Sequence, residues 1–191
     1  MRPTTITRTL ATVLIASAIT CAVGPLRATP ALAACTCPLR SDNACLDMAA
    51  SAVGSWYKWG GACWKTTDRE WGGADCSGLV VKAWQVPRSS KITENYHPYG
   101  TWHLFNHTTH WYAVKRASLW KGDIVGYSDP DGDGPASGHV VMYYYGDKWG
   151  LIRAYEAPRT GQRIKFGWRD ISASKWKFRR RHNLIQTLGP G

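Results

Sequence analysis

Two segments in the N-terminal half of the chain carry apolar residues at helical spacing. The first runs from Ala44 to Trp59 after a candidate cap at Asn43, and its apolar positions are Leu46, Ala49, Ala50, Val53 and Tyr57. The second begins at Cys76, contains the apolar run Leu79 to Trp84 and ends before Pro87. Because apolar residues three and four positions apart share one face of a helix, the pattern predicts two helices.

The second half of the chain has the pattern of short β-strands. Runs rich in Val, Ile and Tyr, separated by Gly, Asp and Pro, cover Ile124 to Tyr127, His139 to Tyr145, Leu151 to Tyr155 and Gln162 to Trp168. Such spacing is typical of an antiparallel meander. The stretch from Lys91 to Trp120 is irregular and rich in aromatic residues and histidine, so we expect a long surface loop there. The order of the elements predicts one α+β domain over residues 44–191.

The N-terminus has the features of a secretory signal peptide. Two arginines precede an uncharged run from Thr9 to Leu26, and small residues follow. We therefore expect residues 1–33 to be removed on export, so that a short Cys-rich leader, residues 34–43, begins the mature chain. A membrane anchor is one alternative. A lipoprotein signal is the other, since Leu32 to Cys35 has the form of a lipoprotein cleavage box.

Export places the cysteines in an oxidising compartment, where thiols tend to pair. One of the six cysteines belongs to the signal peptide and five remain. We expect two disulfides, in any of three pairings, among Cys35, Cys37, Cys45 and Cys63. Cys76 is then the single free thiol.

Composition and charge narrow the class of protein. With 44% hydrophobic and 19% charged residues, the chain is neither disordered nor a coiled coil. Its net charge is +11, and loss of residues 1–33 leaves +8, with 21 Lys and Arg against 13 Asp and Glu. An exported basic protein is expected to meet anionic cell-wall polymers and not nucleic acid. The cluster Arg179 to Arg181 is expected to be solvated. We expect a monomer without a membrane span.

The position of Cys76 indicates a nucleophile. It lies where the second predicted helix begins, so the helix dipole is expected to lower its pKa and favour the thiolate. His139 begins the strongest predicted strand and is the candidate base. Glu156 ends the next strand, and antiparallel pairing brings that end beside the start of the previous strand, near His139. The sequence thus predicts a Cys, His and Glu catalytic site.

Six short motifs follow one another along most of the mature chain. They are Tyr57 to Gly61, Asp75 to Val80, Pro87 to Ser89, Lys121 to Val125, Gly138 to Tyr143 and Glu156 to Gly161. In this order they resemble the NlpC-type cell-wall endopeptidases, which are papain-like cysteine peptidases that act on peptidoglycan stem peptides. The resemblance implies a papain-like fold, in which the nucleophile helix packs on an antiparallel β-sheet. It also implies a D,L-endopeptidase that cleaves between D-isoglutamyl and the diamino acid.

The same resemblance assigns roles to individual residues. Cys76 attacks, His139 transfers the proton and Glu156 fills the third position, which family members occupy with different residues. The residues that match the substrate cleft are Tyr57, Trp59, Asp75, Ser77 and Arg88. Among these, Tyr57, Asp75 and Ser77 are expected to hold the free amine of the stem peptide or to polarise its carbonyl. Asp75 is also of the residue type that caps a helix N-terminus.

The sequence also contains two candidate metal sites, and it leaves two alternative functions open. Asp129, Asp131 and Asp133 match half of a calcium loop, but the closing acidic position is Val140, so a polar turn is the alternative. The spacing of His97, His103, His107 and His110 matches no zinc site, and we expect these residues to line the groove. Cysteine chemistry requires no cofactor. The alternative functions are a related cysteine amidase or acyltransferase and a catalytically silent wall-binding domain.

Overall fold

Helices precede a larger antiparallel sheet in the computed structural model, which describes residues 39–87, 96–128 and 138–187. The helices are α1 (Asp42–Ser51), α2 (Cys76–Trp84) and α3 (Thr101–Asn106), with a 3-10 helix at Arg116–Ser118. The strands are β1 (Arg40–Ser41), β2 (Ala62–Trp64), β3 (Gly72–Ala74), β4 (Trp111–Ala113), β5 (Ile124–Tyr127), β6 (His139–Gly146), β7 (Leu151–Glu156), β8 (Lys165–Asp170), β9 (Lys177–Arg181) and β10 (Leu184–Ile185). Within these ranges, no helix has the length and apolar composition to cross a bilayer.

Several sequence predictions concern residues outside the described ranges. These are the signal peptide of residues 1–33, the cysteines Cys35 and Cys37, the candidate substrate contact Arg88, and the candidate calcium ligands Asp129, Asp131 and Asp133. The first strand, β1, lies within the segment interpreted as a Cys-rich leader. It pairs with β10 near the other end of the chain.

The large sheet has the strand order β4-β9-β5-β6-β7-β8, and each neighbouring pair is antiparallel. The four strands β5 to β8 form the meander that the alternating pattern predicts. β9 returns from the C-terminal end of the chain and inserts beside β5, with β4 on its outer side. The α+β class predicted from the sequence is confirmed.

Helix α2 is buried almost all round, because it packs against α1 and against strand β6 of the sheet. Eight of its nine residues are buried, and Lys82 is the exception. A helix with apolar residues on every side is stable only inside a core. Val140 and Met142 of β6 belong to the same core cluster. The predicted packing of the nucleophile helix on an antiparallel sheet is confirmed, and it gives Cys76 a rigid support.

The first helix differs from its predicted bounds. It begins at Asp42 and its N-cap is Ser41, whose Oγ accepts from the N–H of Ala44 at 3.1 Å, so the predicted cap at Asn43 is wrong. It ends at Ser51 and not at Trp59. Gly54 follows with a φ of +90°, a left-handed conformation that favours glycine and turns the chain out of the helix.

The stretch between Lys91 and Trp120 is more regular than its composition indicates. It contains α3 and the edge strand β4. Six residues are too short to show helical periodicity, and the pairing of β4 depends on β9, about 70 positions further along the chain. The expectation of an irregular loop is therefore wrong for these two elements.

The sequence suggested that the arginine cluster near the C-terminus is solvated, and this expectation is wrong. The cluster forms most of β9, and Arg181 is fully buried, where its guanidinium donates to the Trp84 carbonyl at 2.5 Å. Arg180 forms an ion pair with the buried Asp123 at 2.7 Å. The hydrogen bonds that the guanidinium groups donate to these oxygens make their burial tolerable.

The cysteines of the described ranges carry free thiols. Cys45, Cys63 and Cys76 are each unbridged, so the disulfides expected at Cys45 and Cys63 are not confirmed. Cys45 is fully buried in the core, and burial raises the pKa of its thiol to about 11. Cys45 therefore behaves as a small apolar core residue.

A single methyl group at Gly78 tests the close packing of α2. A Cβ at this position would lie 2.0 Å from the Gly61 carbonyl oxygen, a backbone atom that cannot move alone. We expect Gly78→Ala to lower the free energy of unfolding by about 3 kcal/mol in urea denaturation, although alanine favours helices. The control is Gly100→Ala, where nothing lies within 4 Å. It should change the stability by less than about 0.5 kcal/mol. Equal stabilities for the two variants would contradict this packing.

Candidate active site

Cys76 is the first residue of α2 and is 8% exposed. Asp75 precedes it as the N-cap, with its backbone extended and its Oδ1 accepting from the N–H of Gly78 at 2.6 Å. The interpretation of Asp75 as a helix cap is confirmed. The cap holds the first turn of α2, so the sulfur of Cys76 sits at the helix end where backbone N–H groups are not used within the helix.

The electrostatic surroundings of Cys76 differ from those expected. Burial, followed by the negative charge of Asp75, raises the pKa of the Cys76 thiol to about 12. Hydrogen bonds from the backbone N–H groups of Val140 and Ser77 act in the opposite direction and are outweighed. The predicted lowering of this pKa is wrong, because the desolvation of a thiolate exceeds its stabilisation by the helix end. These surroundings favour the neutral thiol of Cys76 over the thiolate.

His139 and Glu156 form a hydrogen-bonded pair. The His139 Nε2 lies 2.8 Å from Glu156 Oε1, and the two side chains are 13% and 2% exposed. An ionised carboxylate only accepts, so Nε2 carries the proton and Nδ1 is the ring nitrogen able to take one. The antiparallel pairing of β6 with β7 brings the two residues together, as their strand positions predict.

Glu156 is stabilised in its ionised form by three partners. Burial alone would raise its pKa, but the hydrogen bond from His139 and the charges of Arg169 and Lys165 outweigh burial and hold the pKa below its usual value. Arg169 donates to Oε1, and the Lys165 Nζ lies 3.7 Å from Oε2. Both cations come from β8, the strand next to β7. A carboxylate ionised in this way fixes the tautomer and orientation of His139.

The start of β6 meets the start of α2. The N–H of Val140 faces the Cys76 sulfur, and Val140 directly follows His139. Gly138 precedes the histidine, and a Cβ there would lie 2.0 Å from Thr101 Oγ1, so the first turn of α3 packs on this point. The imidazole thus belongs to the residue directly before the one whose N–H faces the thiol, and α3 packs beside this point.

The Asp75 carboxylate also binds groups outside α2. Its Oδ2 accepts from the N–H of Gly60 at 2.9 Å, and its Oδ1 accepts from Ser77 Oγ at 3.0 Å. The third partner is His97, whose Nε2 lies 2.9 Å from Oδ1 and 3.1 Å from Oδ2. Burial would raise the pKa of Asp75, but His97 and the N–H donors hold it below its usual value. Asp75 and Ser77 are therefore buried and bonded to the protein itself.

Tyr57 lies next to Cys76. Its N–H donates to Gln162 at 2.9 Å, and its backbone bridges Ala74, which places it between β3 and the turn after β7. Burial and the nearby Cys76 and Asp75 raise the pKa of its phenol, so the hydroxyl stays protonated and can donate. Trp59 follows in the turn and is 63% exposed. The structure thus brings Tyr57, Asp75 and Ser77 together around Cys76, while Trp59 stands on the surface.

Two residues of this site were not assigned from the sequence. The sequence indicates His97 only as a groove residue or, against its spacing, as a zinc ligand, and it indicates no role for Arg169. Neither residue has a local signal in the sequence. His97 contacts Asp75 across 22 positions of the chain, and Arg169 contacts Glu156 across 13 positions. Within the described ranges, no group of three or more His, Cys, Asp and Glu side chains has an arrangement suited to a metal ion.

Comparison with known proteins gives fold-level similarity. No family model and no curated protein matches the chain. The chain is similar to a solved structure of the peptidoglycan hydrolase RipB from Mycobacterium tuberculosis, with 22% identity, coverage of 73% of this chain and 63% of that chain, and a TM-score of 0.47. A mutated form of the resuscitation promoting factor interacting protein RipA is 22% identical, with coverage of 73% of this chain and 61% of that chain and a TM-score of 0.44. NlpC1 from Trichomonas vaginalis is 20% identical, with coverage of 73% of this chain and 43% of that chain and a TM-score of 0.45.

The chain spans less than two thirds of the length of each of these structures. Similarity at this level of identity concerns the fold alone.

Replacing Asp75 by asparagine tests the electrostatic origin of the high thiol pKa. Asparagine caps a helix as well as aspartate, so Asp75→Asn keeps the cap and removes the charge. We expect the pKa of Cys76 to fall from about 12. Alkylation of Cys76 at pH 8, followed by peptide mass mapping, should become about tenfold faster. The control is Glu70→Gln, an exposed carboxylate. An unchanged or slower reaction in Asp75→Asn would refute the role of this charge.

The lowered pKa of Glu156 predicts a defined dependence of stability on pH. The ionised carboxylate stabilises the fold above its usual pKa of 4.5, and this contribution is lost as the pH falls through the lower folded pKa. We expect Glu156→Gln to be about 2 kcal/mol less stable at pH 7 in urea denaturation, with the difference shrinking below pH 4.5. Asp47→Asn, an exposed change on α1, should show no such dependence. A difference that grows on acidification would contradict the sign of the shift.

Proposed function

We propose that this protein is a secreted peptidoglycan hydrolase, a cysteine endopeptidase that cuts the stem peptide between D-isoglutamyl and the diamino acid. The observation that carries the proposal is the meeting of Cys76, at the start of α2, with the start of β6, where His139 is hydrogen-bonded to Glu156. The order of the motifs along the chain supports the substrate class. The choice of bond rests on the family resemblance.

The residues can perform acyl transfer through a thioester. His139 Nδ1 takes the proton from Cys76 Sγ as the sulfur attacks the amide carbonyl carbon. The C–N bond then breaks, the leaving amine takes that proton from Nδ1, and the acyl group stays on sulfur. Water attacks the thioester while Nδ1 again accepts a proton, which returns to Sγ as the acid leaves. Every step uses the free ring nitrogen that the Glu156 hydrogen bond leaves available.

A neutral resting thiol determines when the nucleophile forms. Because the pKa of Cys76 is about 12, thiolate is scarce until His139 removes the proton in the presence of substrate. The loss of this proton is unfavourable in the buried site, so catalysis needs a base held in the correct tautomer. Glu156, Arg169 and Lys165 supply that constraint on His139.

The developing oxyanion has donors nearby. The protonated phenol of Tyr57 lies close to Cys76, and the backbone N–H groups at the start of α2 point towards the sulfur. Donors of this kind, fixed before the reaction, stabilise charge that appears only in the transition state. We assign the oxyanion contact to Tyr57 and to the Cys76 N–H.

The basic surface supports action at the cell wall. The predicted mature chain carries a net charge of +8, which attracts anionic wall polymers. Trp59 is exposed near the site and presents a ring that can contact the substrate. We therefore place the protein outside the cytoplasmic membrane, associated with the wall and acting on its peptides.

Digestion of purified peptidoglycan, followed by mass spectrometry of the fragments, tests the proposal. We expect cuts within the stem peptide, and a loss of activity of more than about a thousandfold in Cys76→Ala and in His139→Ala. Cys63→Ala is the matched control, because it removes a free thiol outside the site and should keep wild-type turnover.

The fragments also separate the alternatives. Release of intact stem peptides from the glycan would replace the proposal by an amidase, and transfer to an added amine would indicate an acyltransferase. Absence of product would indicate a wall-binding domain. Full activity in Cys76→Ala would refute cysteine catalysis.

A further inference from the structure

Strands β6, β7 and β8 carry a strip of aromatic side chains with one arginine among them. In the register of β7 and β8, Tyr155 is paired with Phe166. Two positions away on each strand, Arg153 is paired with Trp168, so all four side chains share one face of the sheet. Tyr145 of β6 is paired with Arg153 and completes the strip. Tyr155 packs against the core cluster that includes residues of α1, whereas Trp168 is 54% exposed on the edge strand β8.

The rings of this aromatic strip hold the Arg153 guanidinium. Its Cζ lies 4.4 Å from the centroid of the Phe166 ring and 5.2 Å from that of the Trp168 ring. The ring of Trp168 in turn meets that of Tyr145 edge to face, with 6.0 Å between the centroids. Cation–π attraction places a charge without a carboxylate or carbonyl as its partner. The strip therefore positions Arg153 and leaves the N–H donors of its guanidinium unused.

Arg153 has no hydrogen-bond acceptor and no ion-pair partner among the residues that the structure describes, and its Nε is buried. The other arginines that face aromatic rings in the same ranges each donate to a carbonyl or carboxylate of the protein; they are Arg116, Arg163 and Arg179. Polar groups removed from water are normally paired, because leaving them unmatched costs free energy. Arg153 thus has the features of a residue whose acceptor is a ligand.

We propose that the aromatic strip binds an acidic polysaccharide, whose sugar rings lie on Trp168 and Tyr145 and whose carboxylate accepts from Arg153. A guanidinium matches a carboxylate in both charge and geometry, since it can donate two parallel hydrogen bonds. The C–H groups of a pyranose ring form an apolar face, which packs on the flat rings of Trp and Tyr. An acidic polypeptide would satisfy the arginine but has no sugar ring for the exposed indole.

The aromatic strip is separate from the candidate active site. Consecutive residues of a strand point to opposite faces. Trp168 belongs to the strip, whereas the next residue, Arg169, donates to Glu156. A polymer bound at the strip therefore leaves the partners of Glu156 in place and can hold the protein on the wall. The choice of a polysaccharide over other polyanions rests on the proposed function, and the unpaired arginine between two rings does not.

Isothermal titration with three oligomers of equal length tests this proposal. Oligogalacturonate carries pyranose rings and carboxylates, its methyl ester carries the rings alone, and oligoglutamate carries carboxylates alone. We expect the wild type to bind oligogalacturonate at least about tenfold more tightly than either of the others. Equal affinity for the methyl ester would contradict the role of Arg153. Equal affinity for oligoglutamate would assign the strip to an acidic protein and overturn the polysaccharide.

Two variants locate the binding surface. Arg153→Gln should weaken the binding of oligogalacturonate about tenfold, and Trp168→Ala about fivefold. The matched control is Arg163→Gln, which removes the same charge from an arginine that lies 4.1 Å from the Trp56 ring centroid but is paired with Glu70. It should bind as the wild type does. Equal losses in Arg153→Gln and Arg163→Gln would indicate attraction by net charge alone and overturn the proposal.

Urea denaturation of each variant separates a loss of binding from a loss of structure. Wild-type affinity in folded Arg153→Gln would refute the site. If Arg153→Gln does not fold, Trp168→Ala on the exposed edge strand and the comparison of oligomers decide.

These binding measurements do not depend on catalysis, so the two proposals can fail separately. A wild type that binds oligogalacturonate but does not digest peptidoglycan keeps the strip and contradicts the endopeptidase. A wild type that digests peptidoglycan but binds none of the oligomers contradicts the strip and leaves the endopeptidase standing.

Discussion

The carboxylate of Asp75 is the constraint on which the arrangement of this site depends. It caps α2 through Gly78, holds the preceding turn through Gly60 and anchors the segment that carries His97. Burial is the main cause of the raised pKa of the Cys76 thiol, and the negative charge of Asp75 adds to it, so the group that holds the first turn of α2 also opposes formation of the thiolate.

Two histidine–carboxylate pairs belong to this site, and burial distinguishes them. In the pair of His97 and Asp75 both side chains are nearly inaccessible, and the ring anchors backbone. In the pair of His139 and Glu156 the ring is more exposed, and one nitrogen is left for proton transfer. The cations of β8 balance the charge of Glu156, so that the carboxylate stays ionised although it is buried. The first pair thus anchors backbone segments, and the second has the geometry that the proposed proton transfer requires.

The sequence predicted the elements whose residues repeat regularly. The run after Cys76 and the alternating runs from Ile124 onwards have clear periods, and they became α2 and the meander of β5 to β8. The cap at Asp75 was recognisable from residue type. The helix α3 was too short to show a period, and β9 was obscured by its arginines, which are buried only because Asp123 and a backbone carbonyl accept from them. Long-range acceptors leave no trace in a local pattern.

The sequence alone supplied the three candidate reactive residues and their order, because a thiol at a predicted helix start and two polar residues at the ends of predicted strands are local features. The tertiary structure alone decided the ionisation of that thiol, since burial and the charge of Asp75 act through space and reverse the effect of the helix end. It also decided that His97 lies on Asp75. Contacts between distant segments set charge and burial, and neither can be read from spacing along the chain.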